Sequence, residues 1–262
     1  MSVQVLMATM HQQSGDISLL EKTNIQTDAL IGNQCEQNSI EEMNWNNHKI
    51  VFFNFKEKGV GLNRNNTLMR ANGDFLLFAD DDMVYVDGYE KIIEKYFTKY
   101  KDADMLIFNI NEPVPRRYIT KRVFRVKWYN FMRFGTVRIA VRRKSIFYNG
   151  ILYNLSFGGG TEFQDGDDTL FLCDCVKKGL KIYAIPEVIA TLTEERESTW
   201  FKGYDDCYLV DKGVLFWAIS HRYYKLLCLQ DVLRHSRIYG RGKMECYKKM
   251  VKGIQEKINY KK

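Results

Sequence analysis

The chain has 262 residues, 45% hydrophobic and 14% aromatic, which is enough to fill the core of one large domain and is unlike a disordered composition. The start, MSVQVLMATM, has neither the basic lead nor the long apolar run of a secretion signal, and no stretch reaches the roughly 18 apolar residues of a membrane span, so a cytoplasmic protein is expected. The net charge of +7 is unevenly placed: positions 113–161 hold 11 Lys/Arg and no Asp/Glu, and positions 222–262 hold 12 and 3, leaving 16 basic and 29 acidic residues elsewhere.

An acidic scaffold with two basic segments points to a partner bearing phosphate or an anionic surface. The six cysteines lack paired C-x-x-C spacing, and the single C-x-C, Cys173 and Cys175, lies in an expected helix. Structural zinc is therefore not expected, and reduced core thiols are.

In chain order, VQVLMA reads as a strand, DISLLEKTN as a helix with an acidic cap, and DALIG and KIVFFNF as two more strands. GVGLNRNNTLMRANG reads as a helix with apolar positions Leu62, Leu68, Met69 and Ala71 and a stop at Gly73. The strand DFLLFA, the helix VDGYEKIIEKYFTKY and the strand DMLIFNI follow. Strand-helix alternation predicts an α/β fold, a mostly parallel sheet flanked by helices. Beyond the basic, aromatic-rich segment come a glycine loop, FGGGTEFQDGDD, a helix, DTLFLCDCVKKG, a strand, KIYAIP, and a helical C-terminal region.

Asp80, Asp81 and Asp82 follow the apolar strand DFLLFA directly. In parallel sheets ligands bind beyond the carboxyl ends of the strands, so these carboxylates stand where a ligand or metal site forms. An Asp-x-Asp there suits Mg²⁺ or Mn²⁺, with substrate phosphates and water completing the octahedron. If the chain stays extended, Asp80 and Asp82 share one side and Asp81 points away. A second acidic cluster, Asp165, Asp167 and Asp168, opens a helix; it reads either as first-turn carboxylates offsetting the helix dipole or as a source of a general base.

Taken together, VLMATMHQ, LIGNQCEQN, the helix within GVGLNRNNTLMRANG with its Gly and Arg-Asn before FADDDM, and GDDTLFLCDCVKKGLKIYAIPEVIA resemble glycosyltransferase family 2 enzymes of the GT-A fold over roughly residues 3–190. The resemblance implies a nucleotide-sugar donor, a UDP-sugar in the first instance, a divalent metal on its diphosphate, and inverting transfer to a hydroxyl of a glycan or lipid-linked acceptor, as in bacterial-type polysaccharide assembly. It implies Asp168 as the catalytic base and Asp82 with Asp80 as metal ligands. Donor contacts would come from Ala8, Thr9, Asn33, Gln34, Gly61, Arg64, Asn65, Asp80 and Asp81, and acceptor contacts from Asp167, Gly159, Gly160 and Trp128. The implied division is residues 1–200 as the GT-A domain, with 1–112 on the donor side and 113–200 on the acceptor side, and 201–262 as a basic helical extension.

Two positions depart from the family pattern: Asn33 and Gln34 stand where acidic residues commonly hold uracil, and Asp167-Asp168 replaces Glu-Asp. A third metal ligand is not placed, although His221 is available. In the middle segment Trp128, Tyr129, Phe131, Phe134 and Tyr148 alternate with Arg125, Lys127, Arg133 and Arg142, which reads either as core with a basic outer face or as a platform for sugar rings and phosphate.

Two other readings compete with this one. A haloacid-dehalogenase-type phosphatase would also place Asp-x-Asp after a strand, but its nucleophile normally lies on the first strand, and Met83-Val84 replaces the expected Gly-Thr. A basic nucleic-acid module lacks a recognised motif, and the acidic rim would repel phosphate, so no nucleic acid is expected as a partner. The C-terminal segment, with Leu226, Leu227, Leu229, Val232, Leu233 and Ile238 among Lys225, Arg234, Arg237 and Arg241, reads as a packed helix with a solvated basic face or as a peripheral contact with an anionic membrane surface through Lys248, Lys249, Lys252 and Lys257.

Overall fold

The computed structural model describes residues 1–113, 117–193 and 203–259. Strand β1 (Val3–Met10), helix α1 (Ile17–Thr23) and strand β2 (Asp28–Gln34) lead into the hairpin β3 (Ser39–Trp45) and β4 (His48–Phe55), then helix α2 (Val60–Arg70) and strand β5 (Phe75–Asp80). Strand β6 (Met83–Tyr85), helix α3 (Tyr89–Lys99) and strand β7 (Met105–Asn111) complete the first half. Next come β8 (Phe124–Val126), β9 (Ile139–Arg142), α4 (Arg143–Asn149), α5 (Asp167–Lys177) and β10 (Ile182–Leu192), followed by α6 (Asp206–Ile219), α7 (Tyr224–Tyr239) and α8 (Lys243–Asn259).

The strands form one mixed sheet in the order β3-β4-β2-β1-β5-β9-β7-β10-β6, with β8 also paired to β10. Strands β4, β2, β1 and β5 run parallel, as does β10 beside β7, while β9 enters antiparallel between β5 and β7. Side chains alternate faces along a strand. Leu6, Leu30, Val51, Leu76 and Phe78 thus pack on one side, and Val5, Met7, Ala29, Ile31, Phe52 and Leu77 on the other. Both faces are covered, which is why these strands read as unbroken apolar runs.

The expected α1, α2, α3, α5 and the strands β1, β2, β4, β5, β7 and β10 form within a few residues of their sequence bounds. The edge strand β3 was not read from the sequence. Its two-residue loop, Asn46-Asn47, has φ of 48° and 67°, the turn whose twist matches a tight hairpin and which asparagine tolerates. Strand β10 runs through Pro186, which lies inside the register shift between Ala184 and Val188, where a missing N–H breaks no ladder bond.

Within the basic segment the aromatics divide: Phe131 and Phe134 are buried, whereas Trp128, Tyr129 and Tyr148 are exposed. Arg142 lies over the rings of Phe75 and Phe97 and donates to the carbonyls of Ala103 and Phe97. Helices α6, α7 and α8 pack on one another and, through α6, on α5, and their Leu209, Leu215, Phe216, Cys228, Val232, Cys246 and Met250 join the same buried cluster as β-strand residues. Residue 201, where the extension was expected to begin, lies outside the described residues.

Candidate active site

The parallel strands end together at one rim, where Ala8 pairs with Asp80 and Thr9 with Asn33. The expected alternation of Asp80 and Asp82 does not hold, because the strand ends at Asp80 and the chain turns through Asp81 and Asp82 into β6. Asp81 is turned toward β1, where it accepts from the Thr9 hydroxyl at 2.6 Å and from Gln12 Nε2 at 3.2 Å. The Asp82 carbonyl is pinned by the Thr193 amide and hydroxyl, and its carboxyl Oδ1 is buried with no hydrogen-bond partner. Burial, then the charges of Asp80 and Asp81, push the Asp82 carboxyl up to about 6.

Helix α2 buries a run of polar residues alongside Leu68. Asn63, Arg64, Asn65, Asn66 and Thr67 are buried, while Met69, expected on the core face, is 51% exposed. The amide N–H groups of Asn63, Asn65 and Asn66 all find acceptors, whereas Asn63 Oδ1 is buried without a partner. Asn63 donates to the carbonyls of Thr9 and Gly32 and so ties the helix to β1 and β2. A Cβ at Gly32 would lie 1.9 Å from Asn63 Oδ1, so only glycine admits this approach.

Arg64 is the hub of the site. Its Nη1 donates to Asp167 at 2.6 Å and to Asp168 at 3.0 Å, and its Nη2 donates to Asp80 at 3.0 Å. The guanidinium also lies over the Tyr153 ring. Burial opposes its charge, yet Asp80, Asp168 and Asp167 together outweigh burial and raise its affinity for the proton above the ordinary value. Burial also raises the Asp80 carboxyl, against the pull of Arg64.

The two carboxylates of α5 are presented by its first turn. Asp168 accepts from the Thr136 amide at 3.0 Å in addition to Arg64, so both of its oxygens are oriented. Burial and then the neighbouring Asp168 push Asp167 up to about 7, against Arg64. The glycine loop makes room for this. Gly158 has φ of +100°, and a Cβ there would lie 2.8 Å from the Asp167 carboxyl carbon.

These residues line a cleft of about 770 Å³ between the sheet rim and α6. Arg64, Asp80, Asp167, Asp168 and Gly159 face it from the first 200 residues, and Tyr204, Asp205, Tyr208, Asp211 and Lys212 face it from α6 and the turn before it. Lys212 pairs with Asp165 at 3.6 Å. The contribution of α6 was missed from sequence, since nothing in its local pattern marks it as a cleft wall. The central pairing of Arg64 with three carboxylates was missed as well.

Other expected site residues have different surroundings. Asn65 is bonded to both the N–H and the carbonyl of Tyr153. Asn33 is occupied by the Gln12 backbone and by Asn54, and Gln34 accepts from the Gly59 amide at the start of α2. Gly61 lies against the Asn154 carbonyl, and Gly160 stands beside Gly159 in the loop. Trp128 is 74% exposed and outside the cleft, and His221 is stacked on Trp217. Among the described residues no three His, Cys, Asp or Glu side chains are grouped to hold a metal ion.

Residues 34–154 match the family model for glycosyl transferase family 2. Among solved structures, S. aureus TarS 1–349 in complex with UDP-GlcNAc superposes with a TM-score of 0.66 at 13% identity, covering 98% of this chain and 92% of that one. The same TarS segment with UDP gives 0.63 at 14% identity, with the same coverages. A further structure of S. aureus TarS gives 0.63 at 14% identity over 95% of this chain, which spans 55% of that longer chain. At such identity the likeness is one of fold. No curated protein sequence matches the chain. The chain thus has a GT-A-like fold whose residues 34–154 match the glycosyl transferase family 2 model.

Proposed function

We propose that the chain is an inverting glycosyltransferase that moves a sugar from a nucleoside-diphosphate donor, of the UDP-sugar type, to a hydroxyl of a saccharide acceptor. The observation that carries this reading is the meeting of Asp168, Asp167 and Asp80 on Arg64 inside a cleft at the carboxyl rim of the sheet. That TarS is crystallised with UDP-GlcNAc and with UDP supports a uridine donor.

In the proposed reaction the acceptor oxygen forms a bond to the anomeric carbon of the donor, the bond from that carbon to the diphosphate oxygen breaks, and the electron pair departs with the nucleoside diphosphate. Asp168 receives the acceptor's proton on a carboxylate that Arg64 and the Thr136 amide hold in one orientation. Fixing that carboxylate ahead of substrate removes an orientational cost from the transition state. Arg64 positions Asp80 and Asp168 relative to each other, and Thr9 with Gln12 positions Asp81 at the donor side.

The donor set at the rim fits a hard divalent cation. Asp82 has a buried Oδ1 without a partner, and its carboxyl is raised by burial and by Asp80 and Asp81, a charge imbalance that Mn²⁺ or Mg²⁺ would relieve. Asp82, with the lone pairs of Asp80 that Arg64 leaves open, would hold the ion, and its remaining shell would come from donor phosphate and water. When bound, the ion would neutralise the diphosphate as it leaves.

The charge of the cleft bears on the acceptor. Its lining has Asp80, Glu162, Asp165, Asp167, Asp168, Asp205 and Asp211 against only Arg64 and Lys212. Such a field favours a neutral or amino-bearing sugar and opposes a polyanion. A glycan or lipid-linked saccharide of a bacterial-type surface polysaccharide satisfies this if its neutral sugar end enters the cleft. The test is a panel of nucleotide sugars with Mn²⁺, read as thermal stabilisation and then as transfer to neutral and phosphorylated acceptors. Stabilisation by a uridine donor and transfer to a neutral acceptor are expected; stabilisation by none of the donors would overturn the reading.

A further inference from the structure

The outward face of α7 carries Leu226, Leu229 and Leu233, at i, i+3 and i+7 of one helix face, 61%, 44% and 58% exposed. Three large apolar side chains in a row are not what a solvated helix face presents. Tyr223 and Ile238 extend the exposed apolar surface at either end. Around them Arg222, Lys225, Arg234 and Arg237 are exposed, and the one acidic residue of the helix, Asp231, is buried and bonded to Tyr239 and His235. The exposed face of α7 is therefore apolar and basic with no acid on it.

The opposite face is committed to the fold. Cys228, Val232, Ser236 and Tyr239 are buried, and the Tyr239 ring lies 5.3 Å from Tyr204 and 5.9 Å from Tyr208, which line the cleft. One helix width, about 10 Å, thus separates the apolar basic stripe from the aromatic wall of the cleft.

We propose that this outward face of α7 is a docking surface for an anionic lipid bilayer, with Leu226, Leu229 and Leu233 entering the headgroup region and the surrounding cations facing lipid phosphates. Charge complementarity selects this occupant. A second copy of the chain would set two basic faces against each other, whereas an anionic leaflet offers apolar depth and negative charge at once. The assignment replaces the α8 lysines expected from sequence. Lys249 is paired with Asp206 at 2.5 Å, the inward face of α8 is spent on Cys246 and Met250 in the core, and the Lys257 side chain lies outside the described residues. Among the described residues no helix is long and apolar enough to cross a membrane, so contact through α7 lies in the interface plane. The inference goes beyond sugar transfer and does not depend on it.

The experiment is cosedimentation with vesicles of phosphatidylcholine alone and of phosphatidylcholine mixed with phosphatidylglycerol. Binding to the mixed vesicles only, released by salt, is expected. The joint variant Leu226→Ser, Leu229→Ser, Leu233→Ser should bind at least tenfold more weakly with an unchanged circular-dichroism melt. The joint variant Lys225→Gln, Arg234→Gln, Arg237→Gln should lose about fivefold per side chain, roughly a hundredfold in all, and serves also if the serine variant fails to fold. Equal binding to both vesicles, binding to neither, or undiminished binding by the folded variants would overturn the proposal. A dimer in light scattering that the serine variant converts to monomer would overturn it in favour of a second copy. Vesicle binding needs no sugar donor, so its failure is distinct from failure of the transferase reading.

Discussion

Arg64 Nη1 stands 2.6 Å from Asp167 Oδ2, joining the first turns of α2 to the first turn of α5 across more than a hundred residues of chain. The same guanidinium reaches Asp168 and Asp80, so one buried cation holds three carboxylates from two further elements at the cleft. Removing one partner of a buried ion network leaves the others uncompensated, which costs about 3–5 kcal/mol. Arg64→Ala is expected to lose stability on that scale in urea unfolding. Arg64→Lys should recover only part of it, because an ammonium lacks the planar fork that spans two carboxylates at once. A parental unfolding midpoint for Arg64→Ala would remove the hub role.

Asp167 titrates at about 7 because burial, and then Asp168, raise it against the opposing pull of Arg64. A carboxylate raised in the folded chain binds its proton more tightly there than in the unfolded chain. Its unfavourable contribution is therefore fully present above pH of about 7 and is relieved as pH falls through 7 toward the ordinary value near 4. Asp167→Asn has no such proton to bind. The parent should gain stability on the variant by about 1 kcal/mol per pH unit as pH is lowered through that window. Parallel pH profiles of unfolding for the two proteins would contradict this.

Asp168→Asn should keep donor affinity while transfer falls by about 10² to 10⁴, the scale of losing a positioned general base. The amide can accept from the Thr136 N–H but cannot take the acceptor's proton. Single-turnover transfer alongside calorimetric titration of the donor separates the two effects, and near-parental turnover would return Asp168 to a helix-orienting role.

Asp82 and Asp81 should separate in the same titration. With Mn²⁺ and UDP, Asp82→Ala is expected to abolish the metal dependence of binding. Asp81→Ala should retain that dependence while nucleotide affinity drops, because it loses the bonds that hold Thr9 and Gln12. The unpartnered Asp82 Oδ1 is the structural reason for the difference. Undiminished metal-dependent binding by Asp82→Ala would sink the ligand assignment.

The sequence by itself determined the parallel strands and their rim, but not the edge strand β3 or the antiparallel β9 between β5 and β7. Runs such as Phe75–Asp80 and Val3–Met10 carry their own strand signal, and a carboxylate directly after such a run lands at the strand's end wherever the strand sits in the sheet. Resemblance to a family pointed to Asp168, Asp82 and Arg64 because the motifs that carry them are local. The tertiary structure alone decided what Arg64 pairs with, since its partners come from β5 and α5 and no local pattern encodes that meeting. It also decided that α2 buries Asn63, Asn65 and Asn66: polar residues are costly to bury unpaired, and only the assembled fold supplies the partners to which their amide N–H groups donate. Trp128 stayed outside the cleft and α6 formed its wall for the same reason: burial and apposition are properties of how elements pack, and periodicity within one element says which face is apolar but not what will stand opposite it.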